Sequence, residues 1–436
     1  MFRTFINAWK IDDLRKKLLF TALIILIYRI GSAMPVPFVD IATDGLFGEE
    51  AAGTFLTYLS MMTGNAFNYG TLFALSITPY INASIIIQLL TVAIPYLQKL
   101  SKEGEEGRKK MTRITRYSAL GLGLAQSVAY YFFIKSQGML LTDANGKAFT
   151  GFSAVLQAIV VVLCYTAGTA LVMWLGERIN EKGIGNGISM ILFAGIVARM
   201  PTTIANLYQY MDKGGAYFVL VPIAAIALVG MIFFIVWMDN GERKIPIQYA
   251  KRVVGRKMYG GQSSNLPLKL NMSGVMPIIF ANSIVAIPAT IATFFPEASW
   301  LQWIVNNFNY YTWPYLIVFL VLIIAFSYFY IMISFNPIEV ANNIKNNGGS
   351  VPGIRPGKPT VQYIQKIRSR ITLIGGVFLC FIAGFPMLIS IVDYAVNDGS
   401  LTFGGSSLLI VVGVALETVH ELEAQLTMRN YKGFLD

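Results

Sequence analysis

Residues Leu72–Pro95 read LFALSITPYINASIIIQLLTVAIP, a run of 24 residues without a single charged side chain. A helix of about 20 mostly apolar residues is long enough to cross the ~30 Å hydrocarbon core of a bilayer. Seven lysines and arginines follow between Lys99 and Arg116. An apolar run followed by a basic loop predicts a transmembrane helix whose following loop lies on the cytoplasmic side.

The composition extends this pattern to the whole chain. Of the 436 residues, 55% are hydrophobic and only 13% are charged, about half the charged share of a soluble domain. This excludes a soluble enzyme, a disordered chain and a fibrous protein, and it predicts an all-α polytopic membrane protein. We predict ten spans: Leu18–Ser32, Leu72–Pro95, Ser118–Ile134, Ala154–Leu175, Ile188–Met200, Tyr217–Met238, Val275–Phe295, Tyr315–Phe335, Ile371–Ile391 and Leu408–Leu426.

The basic residues alternate between the loops as ten spans require. The termini and the loops on their side carry 29 of the 34 lysines and arginines. Because cytoplasmic loops are enriched in these residues, both termini are predicted to be cytoplasmic. The first apolar run ends at Arg29–Ser32 without a small-residue cleavage site, so it is interpreted as a retained span. The opposite loops hold Arg29, Lys135, Lys147, Arg199 and Lys213.

Ten spans divide into two halves of five, residues 1–200 and 201–436. Halves with an odd number of spans face the membrane in opposite senses, which permits an inverted repeat with a functional interface between them. The sequence contains no convincing self-similarity, so topology alone supports this division. The predicted hinge is the outer stretch Pro201–Gly215.

Two further features depart from a plain helical bundle. The apolar stretch Thr54–Gly64 is too short to span the bilayer, and Gly64-Asn65 would end a helix there. It is either an interfacial helix on the membrane or a re-entrant element inside the bundle, where protein must surround it. Pro79 in the second span, and Pro277 and Pro288 in the seventh, are predicted to kink their helices.

The polar residues within the spans are uncharged. Asn82, Gln88, Gln126 and Asn282 either form ordinary interhelical hydrogen bonds or mark a seam that opens. No charged residue lies deep in a span, which argues against an ion-coupled transporter of small solutes but leaves that alternative open.

The chain also lacks the residues of a catalytic or metal site. It has one histidine, His420, and two cysteines, Cys164 and Cys380, and no phosphate-binding loop or hydrolase motif. We therefore expect no enzymatic activity, no metal and no cofactor, and we rank an intramembrane enzyme last.

Two long cytoplasmic loops, residues 242–269 and 336–370, carry seven and six basic residues together with apolar and aromatic ones. Fewer charges would suffice to set the topology or to attract anionic membrane lipids. The excess favours docking arms for a large partner that is negatively charged or contains nucleic acid.

The chain resembles the SecY family, the central subunits of the bacterial Sec protein-conducting channel. The resemblance covers essentially the whole chain. Its most specific motifs are Pro79–Leu90, Gly183–Ser189, Leu266–Lys269, Gly274–Pro277 and Val351–Gly357. Phe38 stands where a glycine is expected, and Leu192 where an isoleucine is usual.

The resemblance implies a clamshell of two pseudo-symmetric inverted halves around an hourglass pore that translocates secretory polypeptides and releases membrane segments sideways. A plug at Thr54–Asn65, with Phe55, Leu56, Leu59, Met61 and Met62, would close the outer funnel. The lateral gate would lie between spans 2 and 3 and spans 7 and 8, near Gln88, Gln126 and Asn282. The implied pore ring is Ile77, Ile81, Ile188, Leu192, Ile279 and Ile410.

The resemblance also implies partners and location. The chain would lie in the bacterial plasma membrane with SecE and SecG, and signal sequences and nascent polypeptides would be its substrates. The motor ATPase SecA or the ribosome would supply the energy. These partners would dock on the basic loops through Arg252, Arg256, Arg355 and Lys358.

Overall fold

The computed structural model describes residues 2–40, 60, 63–141, 149, 151–212, 217–249, 252–254, 257–259, 263–294, 299–300, 307, 312–397 and 405–432. These residues are predominantly helical. The helices are α1 (Phe2–Trp9), α2 (Asp12–Gly31), α3 (Thr78–Ala93), α4 (Pro95–Lys102), α5 (Glu105–Ser136), α6 (Phe152–Lys182), α7 (Gly187–Asp212), α8 (Tyr217–Asp239), α9 (Met276–Phe294), α10 (Trp313–Ser334), α11 (Pro337–Asn346), α12 (Lys358–Asn397) and α13 (Gly405–Lys432).

Each of the ten predicted spans overlaps one of these helices. By length and apolar composition alone, five helices of the described part could cross a membrane: α6, α7, α8, α10 and α12, the α10 stretch continuing to Asn346. A sixth is added if the bent pair α3 and α4 is counted as one span. The fold is that of an all-α polytopic membrane protein.

The second span differs from the prediction because its first residues are not helical. Backbone turns extend from Thr63 to Ile77, and α3 begins only at Thr78. Pro79 therefore lies in the first turn of α3 and does not kink it, and Pro277 likewise lies at the start of α9. The first turn tolerates proline because its N–H groups have no intrahelical acceptor. Pro288 does lie inside α9.

The same span ends in a sharp bend of 107° between α3 and α4. Ile94, at the bend, has extended backbone angles, φ −105° and ψ 113°. The residue before a proline is disfavoured in the helical region, and Pro95 follows directly. The chain therefore turns here and starts α4 in a new direction.

Most of the predicted hinge after the fifth span, Pro201–Gly215, is helical. Helix α7 continues through Pro201 to Asp212, and residues 213–216 lie outside the described part. Proline removes a helical hydrogen bond, but the hydroxyls of Thr202 and Thr203 donate to the carbonyl of Arg199 at 2.7 and 3.1 Å. These two bonds do not replace the one that Pro201 removes, whose acceptor would have been the carbonyl of Val197, and the helix continues without it.

The two long basic loops form one body. Strands β1 (Glu242–Tyr249) and β4 (Ser263–Lys269) are antiparallel, with Ile245 opposite Leu266. Strand β5 (Gly349–Ser350), from the second loop, pairs with the other edge of β1. Strands β2 (Arg252–Val254) and β3 (Lys257–Tyr259) form a separate hairpin. We call the three-stranded sheet, together with α11 and the first turns of α12, the basic arm.

The helices pack in two groups. In the first group α3 contacts α5, α5 contacts α6, and α6 contacts both α2 and α7. In the second, α9 contacts α10, α10 contacts α12, and α12 contacts α13. The two groups meet where α7 contacts α8 and α13, and where α5 contacts α9. One core cluster fills the second group, and another lies between the first group and α13.

Candidate functional site

A buried and mostly aliphatic cluster, which we call the central cluster, lies where the two helix groups meet. It includes five of the six residues predicted for the pore ring: Ile77, Leu192 and Ile410 are buried, and Ile81 and Ile188 are partly buried against them. Ile77 lies at the end of the non-helical segment Thr63–Ile77, and Ile81 lies on α3. Ile188 and Leu192 lie on α7, and Ile410 lies on α13. The cluster therefore collects side chains from both helix groups around one centre.

The sixth predicted ring residue lies elsewhere. Ile279 is half-buried on α9 and is not part of the central cluster, although Val275, one turn earlier, packs against it. Sequence reasoning also missed cluster residues such as Ile24, Tyr28 and Ile191. These are ordinary core residue types in apolar runs, so no sequence pattern distinguishes them.

The segment Thr63–Ile77 brings non-helical backbone into the bundle beside the central cluster. Three tyrosine hydroxyls anchor it. Tyr165 donates to the carbonyl of Gly70 at 2.9 Å, Tyr130 donates to the carbonyl of Phe67, and Tyr28 shares a 3.1 Å hydrogen bond with Ser76. Backbone groups need such partners when they are buried, because an unpaired group costs free energy there.

The predicted end of the plug is a tight turn. Gly64 and Asn65 have φ of 66° and 74°, left-handed values that glycine and asparagine adopt most readily. The backbone N–H of Asn65 donates to the carbonyl of Ser60 at 2.8 Å, and the Ser60 hydroxyl donates to the Asn65 side chain at 2.8 Å. The predicted plug residues Phe55, Leu56, Leu59, Met61 and Met62 lie outside the described residues.

A polar contact crosses the seam between the helix groups. The hydroxyl of Ser283 on α9 lies 3.2 Å from Oδ1 of Asn82 on α3 and 2.9 Å from the carbonyl of Ile279. Of the predicted gate residues, Asn282 is buried next to Ser283, and Gln88 and Gln126 are half-buried. The sequence singled out Asn82 as polar but did not assign it to the gate.

The predicted docking residues lie on or beside the basic arm. Arg355 and Lys358 are exposed, in the loop after β5 and at the first residue of α12. Gly353 and Gly357 bracket this loop with φ of 79° and 104°, and Thr360 donates to the carbonyl of Arg355 at 2.9 Å. Arg252 lies in β2 opposite Tyr259, and Arg256 lies outside the described residues.

A glycine-rich turn, Gly183–Gly187, joins the first helix group to α13. The N–H of Gly185 donates to the carboxylate of Glu421 at 2.9 Å, and the N–H of Ile184 donates to Thr21 at 3.1 Å. A Cβ on Gly187 would lie 1.9 Å from the carbonyl oxygen of Gly176. Only glycine therefore allows α6 and α7 to approach this closely.

No cluster of three or more potential metal ligands occurs among the residues that the structure describes. The central cluster is mostly aliphatic, with Tyr28, Phe73 and Tyr80 among its aromatic members. Its chemistry is that of a seal or a core.

The SecY family profile matches residues 71–419 of the chain. The chain belongs to the SecY family. The protein translocase subunit SecY of Streptomyces galbus is 41% identical over 439 residues, with 100% of each chain covered. As a family member, this chain is a subunit of a protein translocase and a multi-pass membrane protein.

Solved structures support the same fold for this SecY-family chain. A protein-conducting channel superimposes with a TM-score of 0.63 at 17% identity, covering 94% of this chain and 92% of the other. Sec61 in the canine ribosome-channel complex from the endoplasmic reticulum gives 0.60 at 16% identity, with the same coverage. The alternative of a small-solute transporter finds no support in these comparisons.

The position where the family resemblance predicts glycine has a conformation that favours glycine. Phe38 has a φ of 68°. A bulky residue there is an outlier, since its Cβ crowds the backbone. Its ring is partly buried against a core cluster with Tyr130 and Val39, and stands edge-on to Phe149 at 6.5 Å. This packing offsets some of the backbone strain.

Proposed function

We propose that this chain forms the polypeptide pore of a bacterial translocase, and that the pore passes through the central cluster. The observation that carries the proposal is the convergence of Ile77, Ile81, Ile188, Leu192 and Ile410 between the two helix groups. Aliphatic side chains suit this task because they offer a passing chain no hydrogen bond or charge that would hold it. When no chain is present they pack together and exclude water, which closes the pore to ions.

The seam between α3 and α5 on one side and α9 and α10 on the other is proposed as the lateral gate. Transfer of an apolar segment into lipid is favourable by ~0.8 kcal/mol per buried CH₂. The Asn82–Ser283 contact opposes opening, and interhelical hydrogen bonds in membranes contribute up to about 2 kcal/mol. A signal sequence must therefore be hydrophobic enough to replace this contact.

The halves 1–200 and 201–436 are proposed to move relative to each other when the gate opens, while the contacts of α7 with α8 and α13 hold them together. The plug at Thr54–Asn65 is proposed to close the outer funnel next to the Gly64-Asn65 turn. The chain itself hydrolyses nothing, so a partner supplies the energy.

The partners and the orientation are proposed from charge and from relatives. The basic arm and both termini would face the bacterial cytoplasm, because 29 of the 34 lysines and arginines lie on that side of the predicted topology. SecA and the ribosome would dock on the basic arm, and SecE and SecG would complete the complex. The canine Sec61 relative in a ribosome-channel complex supports a ribosomal partner.

Crosslinking tests the proposed pore. A single cysteine is placed at Ile81, Ile188 or Ile279 in a chain lacking Cys164 and Cys380, and a stalled secretory polypeptide carries the second cysteine. We expect disulfides at Ile81 and Ile188 that depend on the signal sequence, because both lie in the central cluster.

The matched control for the crosslinking is a cysteine at Ile235, which is 2% exposed in the core of the second helix group. No disulfide is expected there. A disulfide at Ile279 as well would add this residue to the pore ring. Absence of disulfides at both Ile81 and Ile188, with export intact, would mean that the central cluster is ordinary core.

A second prediction concerns the gate. Asn82→Leu and Asn282→Leu are expected to shift the number of leucines that a test segment needs for membrane insertion by about one or two, because the polar seam is altered. Gln126→Leu tests the third helix of the seam. The measurement is insertion efficiency across a graded leucine series. Gln157→Leu, on α6 away from the seam, is the control, and an equal shift there would argue against a specific gate.

A further inference from the structure

Helix α13 packs into the second helix group along one part of its length and contacts the first group along another. Leu408 and Val412 lie in the core of the second group. Ile410 and Val414 lie in the central cluster. Beyond these residues, the C-terminal half of α13 lies against α1, α2 and the glycine-rich turn Gly183–Gly187. The proposed ring, plug, gate and docking loops do not include this contact.

A chain of polar contacts connects α13 to the first group. The N–H of Gly185 donates to Oε2 of Glu421 at 2.9 Å, and Nε2 of Gln425 donates to Oε1 of the same carboxylate at 3.1 Å. Nζ of Lys17, on α2, donates to Oε1 of Gln425 at 3.3 Å. Glu421 and Gln425 therefore link α13 to both the turn and α2, and each carboxylate oxygen of Glu421 has a partner.

Apolar contacts on the same face of α13 accompany this chain. Leu422 is fully buried in a cluster whose other buried members come from three different elements, namely Ala8 of α1, Leu14 of α2 and Ile184 of the turn. One turn earlier on α13, the hydroxyl of Thr418 lies 3.6 Å from Sδ of Met190 on α7. Residues three or four positions apart share one face of a helix. We call the contacts of this face with the first group the α13 junction, formed by Thr418, Glu421, Leu422 and Gln425.

The position of Glu421 suits a carboxylate. Its donor Gly185 lies two residues before Gly187, the first residue of α7. The N-terminal end of a helix carries a partial positive charge, so a carboxylate is stabilised near it. A hydrogen bond to an ionised acceptor is also stronger than one between neutral groups. Glu421 therefore holds the start of α7, in the first group, against α13.

The seam and the α13 junction join the two helix groups through different elements. The seam runs between α3 and α5 on one side and α9 and α10 on the other, and across it the half-buried side chains of Asn82 and Ser283 meet. The junction uses none of these four helices, and it combines a buried apolar cluster with a chain of hydrogen bonds. When two bodies that are joined at two places separate at one of them, the other place acts as the hinge.

We propose that the α13 junction is the pivot about which the two helix groups move when the seam opens, and that Glu421 is a positioning residue for this motion. The proposal rests on the proposed function, which requires the seam to open. Opening then widens the distance between α3 and α9, while the contacts of Glu421 and Leu422 with the first group persist.

Crosslinking distinguishes a pivot from a boundary that separates. In a chain without the native cysteines, the pair K17C/Q425C is joined at the junction and the pair N82C/S283C at the seam, each with the same flexible bis-maleimide reagent. Export is compared before and after the reagent for each pair, so the effects of the substitutions themselves cancel. We expect the seam crosslink to reduce export about tenfold or more and the junction crosslink less than about twofold, because a pivot does not separate.

A second arm tests Glu421 itself. E421L removes both acceptors, so we expect the ion leak of the idle channel to rise about twofold or more and the insertion threshold to fall by about one leucine. E421Q keeps an oxygen that can accept from Gly185 and should restore most of the unmodified behaviour. The matched control is E417L, which removes a carboxylate from an exposed position one turn earlier on α13. It should leave the leak and the threshold close to those of the unmodified chain.

The two arms overturn the proposal in different ways. A junction crosslink that blocks export as strongly as the seam crosslink excludes a pivot, and so does an E421L chain that matches E417L in both leak and threshold. Export that is insensitive to both crosslinks would overturn the proposed gate and the pivot with it. The disulfides at Ile81 and Ile188 test the proposed pore independently of either crosslink. The crosslinking arm remains decisive if E421L fails to fold, because it leaves Glu421 unchanged.

Discussion

Arg355→Glu is expected to reduce export by more than tenfold while the protein remains folded and inserted. Arg355 is exposed at a loop that Val351 and Thr360 fix to the basic arm, so the substitution changes a contact surface and no core. A central arginine of an interface typically contributes 2 kcal/mol or more to binding, which is about 30-fold in affinity. Charge reversal adds repulsion toward an anionic partner.

The measurement is SecA-dependent export into vesicles, together with the affinity for SecA and for ribosomes. Lys366→Glu is the matched control, because it makes the same charge change at an exposed position of α12 on the same arm. We expect it to have a much smaller effect. Equal losses in both variants would indicate that total charge matters and that Arg355 has no special contact. Normal export by Arg355→Glu would refute the docking role.

Gly187→Ala is the second substitution with a large expected effect. The new Cβ would lie 1.9 Å from the carbonyl oxygen of Gly176 and 2.7 Å from its carbon, so α6 and α7 would have to separate. Neither backbone can yield without disturbing the turn whose N–H groups donate to Thr21 and Glu421. Overpacking of this kind destabilises a fold by about 3 kcal/mol.

Thermal unfolding of the purified chain and its steady-state level in cells measure this effect. The control is Gly121→Ala, at a helical position of α5 where a Cβ would meet nothing within 4 Å. Alanine there should be neutral or slightly stabilising, since glycine is the poorer helix former. If Gly187→Ala unfolds at the same temperature as the unmodified chain, the close approach of α6 and α7 is not needed for stability.

The sequence alone was sufficient for the features that depend on local composition. Apolar runs such as Tyr217–Met238 form helices, because a bilayer offers no partner for exposed backbone groups. The left-handed turn at Gly64-Asn65 follows from residue types that tolerate positive φ. The family resemblance added the positions of the ring, and five of its six residues do lie in one cluster.

The predicted effects of two prolines differ from the structure because other contacts determine the backbone conformation around them. Pro79 was predicted to kink a helix, but it begins one, because Thr63–Ile77 is held in a non-helical form by tyrosines more than 40 residues away. Pro201, at the start of the predicted hinge, lies inside α7, which continues past it to Asp212. Proline restricts φ and removes a donor, and only the surrounding contacts determine which consequence follows.

Composition and residue order establish a helical membrane protein without catalytic motifs, and they predict an orientation from the distribution of lysine and arginine. Hydropathy and charge act through the solvent, so each residue contributes without reference to distant neighbours. Two features are visible only in the folded chain: the two basic loops share one sheet, and Asn82 meets Ser283 across the seam. Both depend on contacts of a few ångströms between residues 100 to 201 positions apart, which packing specifies and local composition does not.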